Sequence, residues 1–173
     1  AALAVLDHEA HGPISVSDDG RFIAYAKGTS PDLEVVRYDL SRRAPDFTSL
    51  DMAPCWSPSL SSDGRKIVFV SGKSGYPNLY KVDQNTLSLL AVRPAKFPTG
   101  PSSPRLLKDD LIFEDEEGIH RLNLPTMRIA RSWLGLHHPV LPSGGTTLIA
   151  KNQLASTWTS VSLDEAAIAG GAQ

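Results

Sequence analysis

The chain has 173 residues, 13 of them glycine and 13 proline, with 17 basic against 19 acidic side chains and a formal net charge of -2. That balance supplies no field to hold nucleic acid or an anionic membrane surface, and no apolar run approaches the ~18 to 20 residues of a spanning helix. A single cysteine, Cys55, excludes an internal disulfide, so a chain long enough to bury roughly 70% of its unfolded surface must rest on its core.

The opening AALAVL lacks the basic flank and apolar length of a signal peptide. After it, glycines and prolines cut the chain into short segments: RFIAYAK, LEVVRYDL, KIVFVS, NLYKVD, LSLLAV, DLIFED and GIHRLNL. Several are rich in Val, Ile, Phe or Tyr, and all are too short for stable isolated helices, so they read as strands. Only LDEAAIA, from Leu163 to Ala169, has helical composition. The expected class is all-β, in one domain over residues 1–173.

Two stretches repeat. SDDGRFIAYAKGTSPDLEVVRYD and SSDGRKIVFVSGKSGYPNLYKVD hold Gly20 and Gly64, and likewise Asp39 and Asp83, 44 residues apart. The pattern continues more loosely through Asn123 to Asp164, which predicts four units near 12–50, 53–92, 101–133 and 137–164. Each unit is expected to hold an inner strand beginning near a proline (Pro13, Pro54, Pro104, Pro139), then a hairpin and two further strands. Asp19-Gly20 and Asp63-Gly64 suit type I′ turns, because glycine takes the positive φ such a turn requires. Ile23, Tyr25, Ile67, Phe69, Ile112 and Phe113 are the expected core.

Residues 53–83, APCWSPSLSSDGRKIVFVSGKSGYPNLYKVD, resemble the repeat of TolB-type β-propellers. The likeness runs through Pro54, Trp56, Ser57, Pro58, Asp63, Gly64, Arg65, Ile67, Phe69, Gly75, Tyr80 and Asp83. It returns at Pro13, Ser17, Asp19, Gly20, Arg21, Ile23, Tyr25 and Asp39, and the third and fourth units follow it in outline. The resemblance implies a propeller of about four blades, each a four-stranded antiparallel sheet. Residues 1–6 would close the ring as its last outer strand; otherwise the four units form an arc of a larger ring. SLS stands as an insertion between Trp-Ser-Pro and Ser-Asp-Gly.

No reactive constellation emerges. SGKSG at 71–75 lacks the earlier glycine of a phosphate loop, since Ile67 stands there, and no Gly-x-Ser-x-Gly elbow occurs. His8/His11 and His137/His138 fall on connections that would share one rim, where imidazoles beside Glu9 offer ligands to a transition metal. Neither spacing is a zinc signature, so they read as solvated loop histidines. Glu114 to Gly118, EDEEG, has no alternating calcium pattern and reads as a solvated hairpin tip. His120 aligns with Tyr80 and should take an aromatic's place in a strand. RPAKFPTGPSSP, from Arg93 to Pro104, is an extended connection or an arm presenting Phe97.

The functional expectation is a non-catalytic module that binds or scaffolds another protein, with no cofactor, no metal and no nucleic acid. The TolB resemblance implies a bacterial envelope setting: periplasmic, not membrane-spanning, and beside a membrane complex; the alternative compartment is cytoplasmic. The expected contact surface is the rim of loops: His8, His11, Ser30, Lys73, Tyr76, Phe97, Glu116, Glu117, His137 and His138. The alternatives are the substrate-gating propeller of a peptidase, or a small-ligand or glycan binder, for which Trp56 and Trp158 look structural.

Overall fold

The computed structural model describes residues 9–83, 86–90, 101–141 and 146–163. Among these, fifteen strands and one 3-10 turn, Leu50–Met52, make up the regular structure, so the all-β expectation holds. The proposed closing strand at 1–6, the Gly144-Gly145 turn and all of LDEAAIA beyond Leu163 lie outside the described residues.

The strands form four antiparallel sheets in chain order. Sheet 1 holds β1 (Ala10–Val16), β2 (Phe22–Lys27), β3 (Glu34–Asp39) and β4 (Ala44–Thr48). Sheet 2 holds β5 (Cys55–Leu60), β6 (Lys66–Ser71), β7 (Asn78–Asp83) and β8 (Thr86–Leu90). Sheet 3 holds β9 (Ser102–Leu107), β10 (Asp110–Glu114), β11 (Gly118–Asn123) and β12 (Arg128–Leu134). Sheet 4 shows three strands among the described residues: β13 (Leu136–Val140), β14 (Thr147–Asn152) and β15 (Thr157–Ser162).

The sheets stack face to face, and side-chain alternation feeds each seam from both sides. In β6, Ile67 and Phe69 join Ala24, Ala26 and Val35 of sheet 1. The intervening Val68 and Val70, with Leu79, meet Leu106, Leu111, Phe113 and Leu122 of sheet 3. Ile112, Ile119 and Trp133 then meet Leu136, Leu148 and Ala150 of sheet 4. A strand buried on both faces must be apolar at consecutive positions, which explains KIVFVS. No apolar cluster among the described residues joins sheet 4 back to sheet 1.

Four of the six expected core residues fill these seams. Ile23 and Tyr25 do not, although Tyr25 is buried. Ile23 pairs with Val16 and Tyr38, and Tyr25 with Val36, on the face of sheet 1 turned away from sheet 2; Ala24 and Ala26 occupy the seam instead.

The repeated Ser-x-Asp-Gly turns share atomic detail. Ser17 Oγ donates to Asp19 Oδ1 over 2.7 Å, and Ser61 Oγ donates to Asp63 Oδ1 over 2.7 Å. The same carboxylates accept from the N–H of Arg21 and Arg65, and the serine hydroxyls accept from Phe22 N and Lys66 N. The turns are not type I′: only the glycines, each at φ +69, are left-handed, and Gly20 N donates back to Ser17 O. Five residues separate Val16 from Phe22, enough for a right-handed turn closed by one left-handed glycine, whereas type I′ serves two-residue loops. SLS is no insertion, because Ser59 and Leu60 complete β5 and Ser61 stands where Ser17 does.

Each inner strand also breaks register at a left-handed residue directly before a proline: Gly12-Pro13, Ser57-Pro58, Ser103-Pro104 and His138-Pro139. The matching proline of the second unit is therefore Pro58; Pro54 precedes β5 and accepts from Gly72 N.

Candidate functional site

Every inner strand runs from the end of the molecule that carries the sheet-to-sheet connections toward the end that carries the Ser-x-Asp-Gly turns. The connection end also carries the β2–β3, β6–β7, β10–β11 and β14–β15 loops, and backbone bonds tie loops and connections together: Gly28 N to Glu9 O, Gly72 N to Pro54 O, Gly135 N to Glu117 O and Gln153 N to Gly135 O. Topology therefore places His11, Ser30, Lys73, Tyr76, Glu116, Glu117, His137 and His138 on one rim. His8 and Phe97 lie outside the described residues.

The β6–β7 loop is the best-defined projection. Gly75 N donates to Gly72 O, Asn78 Nδ2 to Ser74 Oγ and Ser74 Oγ to Tyr76 O, so a short loop is braced from within. Lys73 Nζ donates to Asp51 O of the preceding connection, which commits part of its hydrogen-bonding capacity. Tyr76 stands at the outer edge of this frame, 58% exposed.

Among the described residues, His11, His137 and His138 do not form a group with metal-ligand spacing. His11 and His138 are exposed, while half-buried His137 sets Nδ1 3.0 Å from Glu114 Oε1. Among the described residues, the group with metal-ligand spacing is Asp115, Glu117 and His120, within 4.8 Å of one another. Its histidine is fully engaged: Nε2 lies 2.8 Å from Asp115 Oδ1 and Nδ1 2.8 Å from Ser132 Oγ. His120 pairs across from Phe113 and stacks on it at 5.2 Å, as Tyr80 does with Phe69 at 6.1 Å, so it takes the expected aromatic place. Asp115 also accepts from Glu117 N, which makes the acidic hairpin a structured turn rather than a merely solvated tip.

Sequence reasoning missed a second surface at the opposite end. An open depression of about 890 Å³ lies between the first two sheets, lined by Asp18, Asp19, Arg21, Asp39, Asp63 and Arg65 among others. Its charges are largely paired. Arg21 Nη2 sits 2.8 Å from Asp39 Oδ2, and Arg37 Nε sits 2.8 Å from Asp46 Oδ1. The Arg21 guanidinium, followed by the Ser41 hydroxyl, holds the Asp39 carboxyl far below the ordinary range. Ser17 and the Arg21 N–H lower Asp19, and Ser61 and the Arg65 N–H lower Asp63 in the same way. The signal was in the doubled Ser-Asp-Gly-basic string, which was read only as a turn.

Cys55 is fully buried, and burial pushes its thiol up, the opposite of what a nucleophile needs. Trp56 packs against the second seam, whereas Trp158, expected to be structural, is exposed on the outer face of sheet 4.

No protein-family model and no curated protein matches the sequence. Solved structures do. TolB from Acinetobacter baumannii superposes with a TM-score of 0.61 at 16% identity, over 89% of this chain and 45% of that one. The β-propeller domain of the Trilobed protease from Pyrococcus furiosus gives 0.57 at 13%, over 83% and 48%. The β-propeller domain of Cps50 (Swd1) from Myceliophteria thermophila gives 0.58 at 18%, over 81% and 48%. The chain folds as a β-propeller. Its sheets are the blades, arranged four in sequence as the resemblance implied, and the chain spans about half the length of each of these neighbours. Among the described residues, no helix is long and apolar enough to cross a membrane.

Proposed function

We propose that this propeller is a non-catalytic protein-binding module that presents its connection rim to another protein. The observation that carries this reading is Tyr76, a large amphipathic side chain held outward on an internally hydrogen-bonded loop. A tyrosine fixed in this way loses little conformational entropy on burial, which is why such residues serve as interface anchors. Ser30, Lys73, Glu116, Glu117, His11 and His138 lie at the same end of the molecule and supply polar and charged groups suited to a wet interface rim. Likeness to TolB supports an envelope setting in the periplasm, within a membrane-associated complex.

Affinity capture from an envelope extract tests the reading with the wild-type chain and Tyr76→Ala plus Lys73→Glu. A partner retained by the wild type and lost by the variant supports it. Equal recovery by both, with the variant folded, overturns the rim assignment.

A second reading draws on the protease propeller among the neighbours: a substrate-gating propeller acting beside a catalytic domain. In that case peptides, rather than a folded partner, would bind, and titration with peptide mixtures separates the two.

A further inference from the structure

The third sheet departs from the other three at positions that come together in space. Pairing across the second and third strands of each sheet makes Val36, Tyr80, His120 and Thr159 equivalent, so only sheet 3 sets an imidazole at this place. His120 is 1% exposed. Its neighbour on the outermost strand is Ser132, where sheets 1 and 2 have Thr48 and Leu89. The loop beside this pair is also tighter: three residues separate β10 from β11, against six between β2 and β3 and six between β6 and β7. Backbone bonds between Asp115 and Gly118 close the loop, and Asp115 Oδ1 accepts from Glu117 N. The result is one imidazole nitrogen and two carboxylates within 4.8 Å of one another.

The imidazole is anchored from outside this group. His120 Nδ1 lies 2.8 Å from Ser132 Oγ, and that contact aims Nε2 at Asp115 Oδ1, 2.8 Å away. Metal-binding histidines are oriented in the same way, by a hydrogen bond at the ring nitrogen that does not carry the ion. A serine hydroxyl suits both tautomers. It donates to Nδ1 while Nε2–H rests on the carboxylate, and it accepts from Nδ1–H once Nε2 holds an ion. The His120–Asp115 contact is therefore compatible with a site: one proton moves from Nε2 to Nδ1, and the ion takes its place between imidazole and carboxylate.

We propose that Asp115, Glu117 and His120 bind a divalent transition-metal ion of the zinc type at the β10–β11 hairpin. An imidazole beside two carboxylates suits zinc, whereas calcium and magnesium take oxygen ligands alone. The two carboxylates balance the charge of the ion, and three protein ligands leave a tetrahedral ion one position for water. The site stands at the same end of the molecule as Tyr76 and requires no partner there.

Isothermal titration of the full chain, stripped with EDTA and dialysed, tests the proposal with zinc chloride at neutral pH. A single equivalent should bind, and the melting temperature should rise with zinc. Ser132→Ala removes the anchor without removing a ligand and should weaken affinity about 10- to 100-fold. His120→Phe installs an aromatic as in sheet 2 and should abolish binding. Should that variant not fold, Glu117→Gln, at an exposed loop position, should still weaken binding by about tenfold or more. His11→Gln combined with His138→Gln removes two exposed imidazoles from the same end and should leave binding unchanged. No binding at millimolar zinc overturns the proposal. Affinity unchanged in both Ser132→Ala and Glu117→Gln, or lost in the His11 and His138 variant, overturns it as well, because the ion would then be held elsewhere.

Discussion

Arg37 leaves its own sheet to donate from Nη1 to the carbonyl oxygen of Arg65 in the next, 2.9 Å away, while its Nε holds Asp46 at 2.8 Å. Arg121 does the same two blades later: Nε donates to Asp110 Oδ2 and Nη1 to Leu163 O. Between them the equivalent residue is Lys81, whose single ammonium lies 3.9 Å from Asp83 of its own strand. A guanidinium fork can serve a carboxylate and a neighbouring backbone together; an ammonium lacks that geometry.

Arg37→Ala should therefore destabilise by about 1.5 to 3 kcal/mol, the range for hydrogen bonds to charged groups. Arg37→Lys should recover only part of the loss. Denaturant midpoints at constant slope measure both, and a loss under about 0.5 kcal/mol, the range of an ordinary surface change, would show that the link across the seam does little.

Gly20 and Gly64 make a matched pair, since both sit at φ +69. A Cβ on Gly20 meets nothing within 4 Å, whereas one on Gly64 would lie 2.3 Å from Phe22 Cδ2. Gly20→Ala should cost about 1 to 2 kcal/mol for the left-handed backbone alone. Gly64→Ala should cost clearly more, because Phe22 is fixed between sheets. Equal losses in thermal unfolding would show that Phe22 yields freely.

Phe69 is fully buried in the first seam, with ring neighbours Phe47 at 6.2 Å and Tyr80 at 6.1 Å. Phe69→Ala should cost about 3 to 5 kcal/mol. A midpoint barely moved, at unchanged slope, contradicts this placement.

Acid should act through the turn end. The Asp39 carboxyl is depressed in the folded chain, so its contribution is complete above the ordinary carboxylate pKa near 4 and is lost as pH falls from about 4 toward the folded value. Asp19 and Asp63 add in the same direction. The melting temperature should stay level from pH 7 to about 5 and drop below about 4. Asp39→Asn should lower stability at neutral pH and flatten that drop; an identical acid limb in the variant would remove Asp39 from the cause.

The fold was legible because Gly20 and Gly64 keep an integer register that the Ser17–Asp19 and Ser61–Asp63 bonds reproduce in detail. What escaped the sequence depends on counts or contacts that letters do not show. The Asp-Gly pairs suit type I′ by their letters alone, but the turn type follows from the strand ends, which leave five-residue loops. β4, APDFT, carries a proline, which an outermost strand tolerates, and so lacks the unbroken apolar run of the inner strands. Exposure of Tyr76 was legible from its Gly-rich loop, but which residues of a strand face a seam emerges only once pairing fixes its parity.

Among the described residues, the polar links between neighbouring blades are unequally distributed. Between the first two blades, Leu60 N donates to Ser15 Oγ, Asp18 N to Ser62 O and Arg37 to Arg65 O. Between the last two, Arg121 reaches Leu163 O and His137 meets Glu114. Among the described residues, the middle seam shows Leu106 N donating to Ser59 Oγ beside its apolar cluster. Cooling weakens apolar burial more than hydrogen bonding. In the cold the molecule should part at its centre into two blade pairs rather than fray from its ends.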